Sequence, residues 1–409
     1  MRPIYLDHNA TTPLSPEVAE AMRQCYAAGY ANPASLHQPG RRARRVLDEA
    51  RGTIGHLLGA DVQSAHGDRL IFTSGGTEAN NLAILGLVDT TLVDASSGNQ
   101  PGHIIISAIE HPSVIGAAEH LARLGWRVDR VGVTSDGVID LEQFDALLRP
   151  ETRLVSIMMA NNETGAIQPI AEIVRRCSGA KTIVHTDAVQ MVGKLPVDFR
   201  SLGVDSMTVT AHKLHGPVGI GALVVRPNVA LRPLLHGGVQ QESLRPGTES
   251  VALAVGFCTA LEIACRDRDE AARRMTSLRD RFEERLRDSG HPVVVNAAGV
   301  ARLPHTSNVA FPGTNRQAMM MALDLAGVAC STGSACASGS TDPSPTLVAM
   351  GLAADVIDGS LRFSFGRDST IADVDEAVER IVHCLKGFGI EKMRGNVPAE
   401  GRIRTADSV

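Results

Sequence analysis

Residues 69–87 read RLIFTSGGTEANNLAILGL, and within that one stretch the chain changes its period. "RLIFT" has strand character, two glycines punctuate it, and "TEANNLAILGL" then places apolar residues at helical spacing. The succession recurs in "HIIISAIE" before "HPSVIGAAEHLARLG" and in "TRLVSIMMANN" before "PIAEIVRRC". Further strand-like runs follow in "TIVHTDAV", "DSMTVTAHK" and "GALVV". This β-then-α rhythm predicts an α/β fold with a mostly parallel sheet between helices. Such sheets bind ligands outside the carboxyl ends of their strands, so the residues that close these runs are the candidates for chemistry.

The rest of the chain sets bounds on that chemistry. With 409 residues, 44% of them hydrophobic and 21% charged, it can bury a large core and divide into two domains. A formal net charge of -5 gives no general attraction to phosphate backbones or anionic lipid, so neither nucleic acid nor membrane is expected as a partner. "GRRARRVLDEAR" concentrates arginines, but Arg44 with Asp48 and Arg45 with Glu49 stand four apart, as on a solvated helix face. The first residues carry no apolar leader, and the odd count of seven cysteines lacks a CxxC pair. Both features point to a reducing, cytoplasmic setting. None of the 14 histidines stands in an HExxH or similar ligand pair, so no metal is expected.

Residues 89–102 are read as a surface loop, and the charged helical pattern after Asp267 as the entry into a second domain. The expected layout is an N-terminal segment at 1–15 packing on the small domain and a large domain at 16–266. A small domain at 267–394 and a disordered tail at 395–409 complete it.

Three strand ends then stand out. "FTSGGTEANN" leaves free backbone N–H groups at a helix start near Thr77, an anion site in form and also an ordinary helix beginning. Asp187 ends the run "IVHTD", where its charge needs a cation unless it simply caps a helix; Gln190 follows three residues later. Lys213 is read as closing the strand "TVTAHK", either reaching to solvent or desolvated among glycines so that its amine can form an imine with an aldehyde. A phosphate cradle, a buried carboxylate and an imine-forming lysine are together what pyridoxal phosphate requires.

The stretches "YLDHNATTPL", "NPASLHQPGRRA", "FTSGGTEANNLAI", "EHPSV", "NNETGAIQPI", "HTDAVQMVGKLPVD", "HKLHGPVGIGALVVR", "GSACASGS" and "SLRFSFGR" occur in this order. In them the chain resembles the class V aminotransferase branch of the fold-type I pyridoxal-phosphate enzymes, and more narrowly the cysteine desulfurases of the NifS/IscS type, over roughly residues 4 to 390. The resemblance implies a large domain with a seven-stranded, mostly parallel sheet and a smaller C-terminal α+β domain. It implies that Lys213 tethers the cofactor as an imine and moves the substrate Cα proton, and that His111 lies against the cofactor ring and assists proton transfer. Asp187 would pair with the ring nitrogen and Gln190 with the ring hydroxyl. Gly76, Thr77, Thr210 and His212 would hold the phosphate, joined by Thr248 from a second subunit of a homodimer. Asn162 and Arg362 would hold the substrate carboxylate. Strand alternation independently supports Arg362, since it shares a face with Ser364 while Leu361, Phe363 and Phe365 share the other.

Cofactor binding alone leaves transamination, decarboxylation, racemisation and lyase chemistry open. Cys336, in the small and polar run "STGSACASGSTDPSP", narrows the choice: an accessible thiol there can act as a nucleophile. The expected reaction is conversion of L-cysteine to L-alanine with the sulfur left on Cys336 as a persulfide, for an acceptor protein such as an iron–sulfur scaffold or for tRNA thiolation. A selenocysteine lyase, or another class V enzyme, is the alternative. Cys330 is expected to be a small buried residue at a strand end. One departure from the family pattern is "GGVQQES", where relatives commonly carry a third glycine, an acidic and a basic residue. Val239 resists a positive φ that glycine would allow, which leaves the loop to Thr248 undecided.

Overall fold

The computed structural model describes residues 2–88, 102–333 and 342–390. Residues 89–101 of the loop expected at 89–102, Cys336 and the tail expected at 395–409 lie outside the described residues. The strands are β1 (Ile4–Tyr5), β2 (Arg69–Thr73), β3 (His103–Ser107), β4 (Arg127–Val131), β5 (Thr152–Ser156), β6 (Ile183–Asp187), β7 (Ser206–Thr210), β8 (Gly221–Val225), β9 (Val294–Asn296), β10 (Thr306–Ala310), β11 (Val328–Ala329) and β12 (Ser360–Ser364).

Seven of them form one sheet in the order β2-β8-β7-β6-β5-β3-β4. Only β8 runs against its neighbours, β2 and β7, so the sheet is mostly parallel, as the strand-helix rhythm predicts. Apart from the edge strand β4, its strands are buried on both faces. One apolar cluster, with Ile105, Val155, Val184 and Val209, packs on one side, and another, with Ile104, Ile106, Leu154 and Leu223, on the other. Some polar residues inside the sheet pair across strands. His185 bonds Ser156 Oγ at 2.8 Å and Thr208 Oγ1 at 3.0 Å, and burial drives its pKa down to about 3, so it is a neutral structural histidine.

A second, antiparallel sheet of order β12-β10-β9 packs its apolar face on the helices Arg268–Asp288, Arg316–Leu325 and Ile371–Gly387. Phe282 of the first of these helices lies 4.9 Å from Phe363 and 5.5 Å from Phe365, ring centroid to ring centroid. Leu361, Phe363 and Phe365 enter this core while Arg362 turns the other way, which is the alternation read from the sequence. The parallel pairing of β1 with β11 brings Ile4 and Leu6 into the same core, far from their neighbours in sequence. The expected border at Asp267 falls between the helices Val251–Arg266 and Arg268–Asp288. Among the described residues no helix is long and apolar enough to cross a membrane.

Two local expectations change. Strand β7 stops at Thr210, and Lys213 lies in a single 3-10 turn, Ala211–Lys213, rather than in the strand itself. The chain must reverse there: Gly216 packs so closely on the turn that a Cβ would meet Ala211 O at 2.7 Å. In the departing loop, Val239 keeps an ordinary φ of -89°, and the left-handed conformation falls on Gln241, Glu242 and Ser243 (φ 49°, 59° and 64°). The distortion is held by the Gln241 amide, which accepts from the backbone N–H of Phe72 (2.7 Å) and donates to its carbonyl (2.9 Å). It thereby caps the open edge of β2 as a strand would.

Candidate active site

The carboxyl ends of β2, β3, β5, β6 and β7 surround a cavity of about 510 Å³. Gly76, Thr77, His111, Asn162, Asp187, Gln190, Thr210, His212, Lys213 and Arg362 all line it, although they come from six separate stretches of chain. Of the residues singled out from the sequence, Thr248 is exposed and lies outside this cavity, and Cys336 is outside the described residues. The described flanks of the cysteine segment, Gly333 and Asp342, both stand on the cavity wall.

Lys213 reaches the cavity from the turn after β7 and is strapped there by the N-terminal segment. Its Nζ donates to the carbonyls of Asn9 and of Ala10, the latter at 2.7 Å. Thr12 completes the strap, its N–H and hydroxyl both donating to the carbonyl of His212 (3.0 and 2.8 Å). His212 meets Thr11 Oγ1 through Nδ1 at 3.2 Å. Burial, then Lys213 and Lys194, push the His212 pKa down to about 4, so it offers a neutral N–H donor rather than a charge.

Asp187 is 6% exposed at the end of β6 and is held by neutral donors, Asn80 Nδ2 at 2.7 Å and the Val189 N–H at 2.9 Å. The Asn80 amide also donates to Ser113 Oγ at 2.9 Å, and Ser113 Oγ lies 2.7 Å from His111 Nδ1. Because the Ser113 backbone N–H also points at that nitrogen (3.2 Å), Nδ1 is the acceptor and the neutral ring carries its proton on Nε2. A chain Asp187–Asn80–Ser113–His111 therefore orients the histidine. Burial lowers the His111 pKa, with Asp187 opposing and Lys213 adding to the effect.

Glu110, beside His111, is buried with Oε1 accepting from Ser107 Oγ (2.5 Å) and the Met158 N–H (2.8 Å), while Oε2 has no partner. Burial raises its pKa to about 8, with Asp187 adding to the rise, so the carboxyl is neutral at pH 7.

Arg362 is 1% exposed and its fork is engaged: Nη2 pairs with Asp7 at 2.7 Å, Nη1 donates to the carbonyls of Asn162 (3.1 Å) and Gly333 (3.2 Å), and Nε is buried without a partner. Gln190 Nε2 donates to the carbonyl of Asn9 at 3.2 Å. Cys330 stands just after β11, where burial raises its thiol pKa to about 12 and leaves it a poor nucleophile.

Sequence reasoning passed over Asp7, Asn9, Asn80, Glu110 and Ser113. All five lie inside quoted motifs, but only Glu110 stands immediately beside a residue that was assigned a role, and nothing local to Asn80 or Ser113 reveals that they join Asp187 to His111.

The donor set fits pyridoxal phosphate. The helix Gly76–Gly86 begins without a side-chain cap after Gly75, leaving its first N–H groups to face an anion. The approach there is tight: a Cβ on Gly76 would meet Val189 at 3.2 Å, and one on Gly221 would meet Gly75 at 2.7 Å. The orphaned Asn80 Oδ1 and the Asp187 carboxylate offer acceptors for a ring nitrogen and its surroundings, and the unpartnered Oε2 of the neutral Glu110 carboxyl offers a donor.

Comparison with known proteins identifies the family and the fold. The family model described as "Aminotransferase class-V" matches residues 4–377. The cysteine desulfurase IscS of Dictyoglomus turgidum is 39% identical over 388 residues, covering 94% of this chain and 96% of that protein. A cysteine desulfurase of Nostoc sp. is 40% identical over 379 residues, covering 93% and 92%. Among solved structures, a NifS-like protein superposes with a TM-score of 0.84 at 34% identity, covering 94% of this chain and 100% of that one. The NifS-like protein of Rickettsia africae gives 0.83 at 31% identity, with the same coverage.

Proposed function

The chain belongs to the class V aminotransferase family, and from that membership we infer that it is a pyridoxal-phosphate-dependent cysteine desulfurase, converting L-cysteine to L-alanine and passing the sulfur to an enzyme cysteine. The observation that carries the reading is the convergence of Lys213, Asp187, His111 and the uncapped start of the helix Gly76–Gly86 on one cavity, whose wall includes Gly333, three positions before Cys336.

Pyridoxal phosphate, when bound, supplies the electron sink that makes the Cα–H and C–S bonds of the amino acid labile. Lys213 would tether it, and its freed amine would carry the Cα proton. Asp187 would hold the ring nitrogen and Gln190 the ring hydroxyl. Gly76 and Thr77 would hold the phosphate from the helix start, with Thr210 and His212 beside them. His111 presents its Nε2 proton toward the cavity because Nδ1 is occupied. Arg362 and Asn162 would take the substrate carboxylate, the guanidinium being fixed in direction by Asp7. The Cys336 thiolate would attack the substrate sulfur and keep it as a persulfide, while the carbon skeleton gains protons and leaves as alanine.

A homodimer in which Thr248 of a second copy completes the phosphate site accords with the exposure of Thr248 outside its own cavity. The large domain would be 16–266 and the small domain 267–394, with the 1–15 segment carrying β1 to the latter. The six described cysteines are all free thiols, which suits a reducing cytoplasmic setting and a sulfur acceptor protein as partner.

The test is to incubate the purified, cofactor-loaded protein with L-cysteine, assay alanine and weigh the peptide containing Cys336. One added sulfur and stoichiometric alanine are expected, and Cys336→Ala should abolish turnover while the protein still binds the cofactor. Alanine formation undiminished in that variant would remove Cys336 from the reaction.

A further inference from the structure

Lys213 is not the only lysine at its own turn. Six residues after Asp187 the chain passes through Gly193, at φ +73°, where a Cβ would meet Leu214 at 2.5 Å and Ala264 at 2.9 Å. Only a glycine lets the backbone pass that close beneath the Lys213 turn. The next residue, Lys194, donates its Nζ to the backbone carbonyl of Lys213 at 2.5 Å. One lysine thus holds the peptide group of the other, while Lys213 Nζ points away to the Asn9 and Ala10 carbonyls.

The surroundings of Lys194 are unusual for an ammonium. Among the described residues no carboxylate comes within ion-pair distance of its Nζ. It faces a narrow crevice shared with His8, His215, Asp267 and Arg367, on the side away from the cofactor cavity. His8, His212, His215 and His305 all feel its charge, and each has its pKa lowered, chiefly by burial. Arg362 adds to the positive field at His305, and Asp368 opposes it at His8 and His215. The amine itself is brought down to about 7, by burial first and then by Lys213.

We propose that Lys194 is a positioning residue for the reacting amine: it fixes the turn of Lys213 through its carbonyl and, as a like charge nearby, promotes loss of the proton from the Lys213 nitrogen. The electrostatic half follows from reciprocity, because the repulsion that Lys213 exerts on Lys194 acts equally in the other direction. The energetic direction suits a lysine that must be an amine, not an ammonium, in order to form its bond and to accept the Cα proton. The separation of labour is visible in the fold. One face of the turn gives Lys213 to the cofactor cavity, and the other is braced by Lys194 from the segment that also carries Asp187 and Gln190. A displacement of that segment therefore moves the ring-nitrogen partner and the tether together.

The inference rests on Lys213 being the cofactor tether, and one titration separates the two claims. Wild type, Lys194→Met and Lys194→Arg are each loaded with pyridoxal phosphate and their visible absorbance is followed against pH. Appearance of the bound cofactor's visible band in the wild type tests the tether, and the pH at which the band changes form tests Lys194. Removing the neighbouring charge in Lys194→Met should raise that midpoint by about half a pH unit or more. Lys194→Arg keeps a charge across the whole range, so its midpoint should fall at or below the wild-type value. Midpoints that coincide in wild type and Lys194→Met overturn the proposal, even if the variant is less stable, because a merely structural brace would change stability without moving the titration. If Lys194→Met gives no soluble protein, a midpoint in Lys194→Arg above that of the wild type overturns it equally. A wild-type protein that acquires no band at all overturns the tether reading beneath it.

Discussion

Replacing Glu110 by glutamine should make the protein's stability less sensitive to pH, with a sign and slope set by the buried carboxyl. Its folded pKa of about 8 lies above the ordinary value of 4.5. The folded protein therefore binds a proton that the unfolded chain has released over that window. Stability from the neutral carboxyl is fully present below pH 4.5 and is lost progressively as pH rises to 8. Within the window the slope is about 1.4 kcal/mol per pH unit, so wild type loses roughly 2–3 kcal/mol between pH 5.5 and 7.5 from this group alone. Glutamine keeps the Oε1 acceptor for Ser107 and Met158 and puts an amide where Oε2 has no partner, which costs a constant amount without titrating. Thermal unfolding of cofactor-loaded wild type and Glu110→Gln, in matched buffers from pH 5.5 to 7.5, isolates the term, since every other titrating group is common to both. With an unfolding entropy of roughly 2 cal/mol/K per residue, the difference in Tm should move by roughly 3 °C in favour of the variant. A difference that stays flat across the range, or moves toward the wild type, would refute the assignment of a neutral buried Glu110.

Asn80→Ala leaves both Asp187 Oδ2 and Ser113 Oγ without their amide donor, so it should cost about 1–3 kcal/mol and weaken cofactor retention, read as loss of bound pyridoxal phosphate on dialysis. Arg362→Lys cannot hold Asp7 and the Asn162 and Gly333 carbonyls at once. The loss of a charge-assisted contact, about 1.5–3 kcal/mol, should lower kcat/KM for cysteine roughly ten- to hundredfold. At Gln241, alanine removes the amide that caps β2 but keeps the left-handed backbone, whereas glycine removes the amide and relaxes the backbone. Both should lower Tm, with Gln241→Gly the less damaged by about 1 kcal/mol, and the reverse order would argue against backbone strain at this position.

The parallel sheet was legible because a strand buried on both faces must be apolar along its whole length and must end where the chain can turn. Runs such as "HIIIS" and the glycines of "TSGGT" carry that information locally. Arg362 was legible for the same reason, since alternation along a strand assigns a face without reference to anything distant. The strand β4, reading "RVDRV", was missed because three of its five residues are charged and it lies on the sheet edge, where solvent replaces a neighbour. The end of β7 was placed three residues late because nothing in the composition of "AHK" separates a 3-10 turn from a strand; in the fold the strand stops at Thr210 and Gly216 packs closely on the turn that follows. Val239 misled in a similar way. The missing glycine suggested strain at that residue, but the backbone moved the left-handed turn two positions on, to where the Gln241 side chain could hold it.

Residue identity by itself determined which groups could take part: a lysine, an aspartate and a glycine-rich helix start at or near three separate strand ends, each with a chemistry set by covalent structure. Their mutual relations were not in the sequence. That Asn9 and Ala10 supply the carbonyls holding Lys213, that Asp7 fixes Arg362, and that Asn80 and Ser113 decide which nitrogen of His111 bears its proton depends on contacts between segments up to 355 positions apart. Hydrogen bonds act over about 3 Å and burial over the width of a side chain. Only the folded chain, by bringing those segments within that range and excluding water from between them, could set the protonation and direction of the groups that the sequence named.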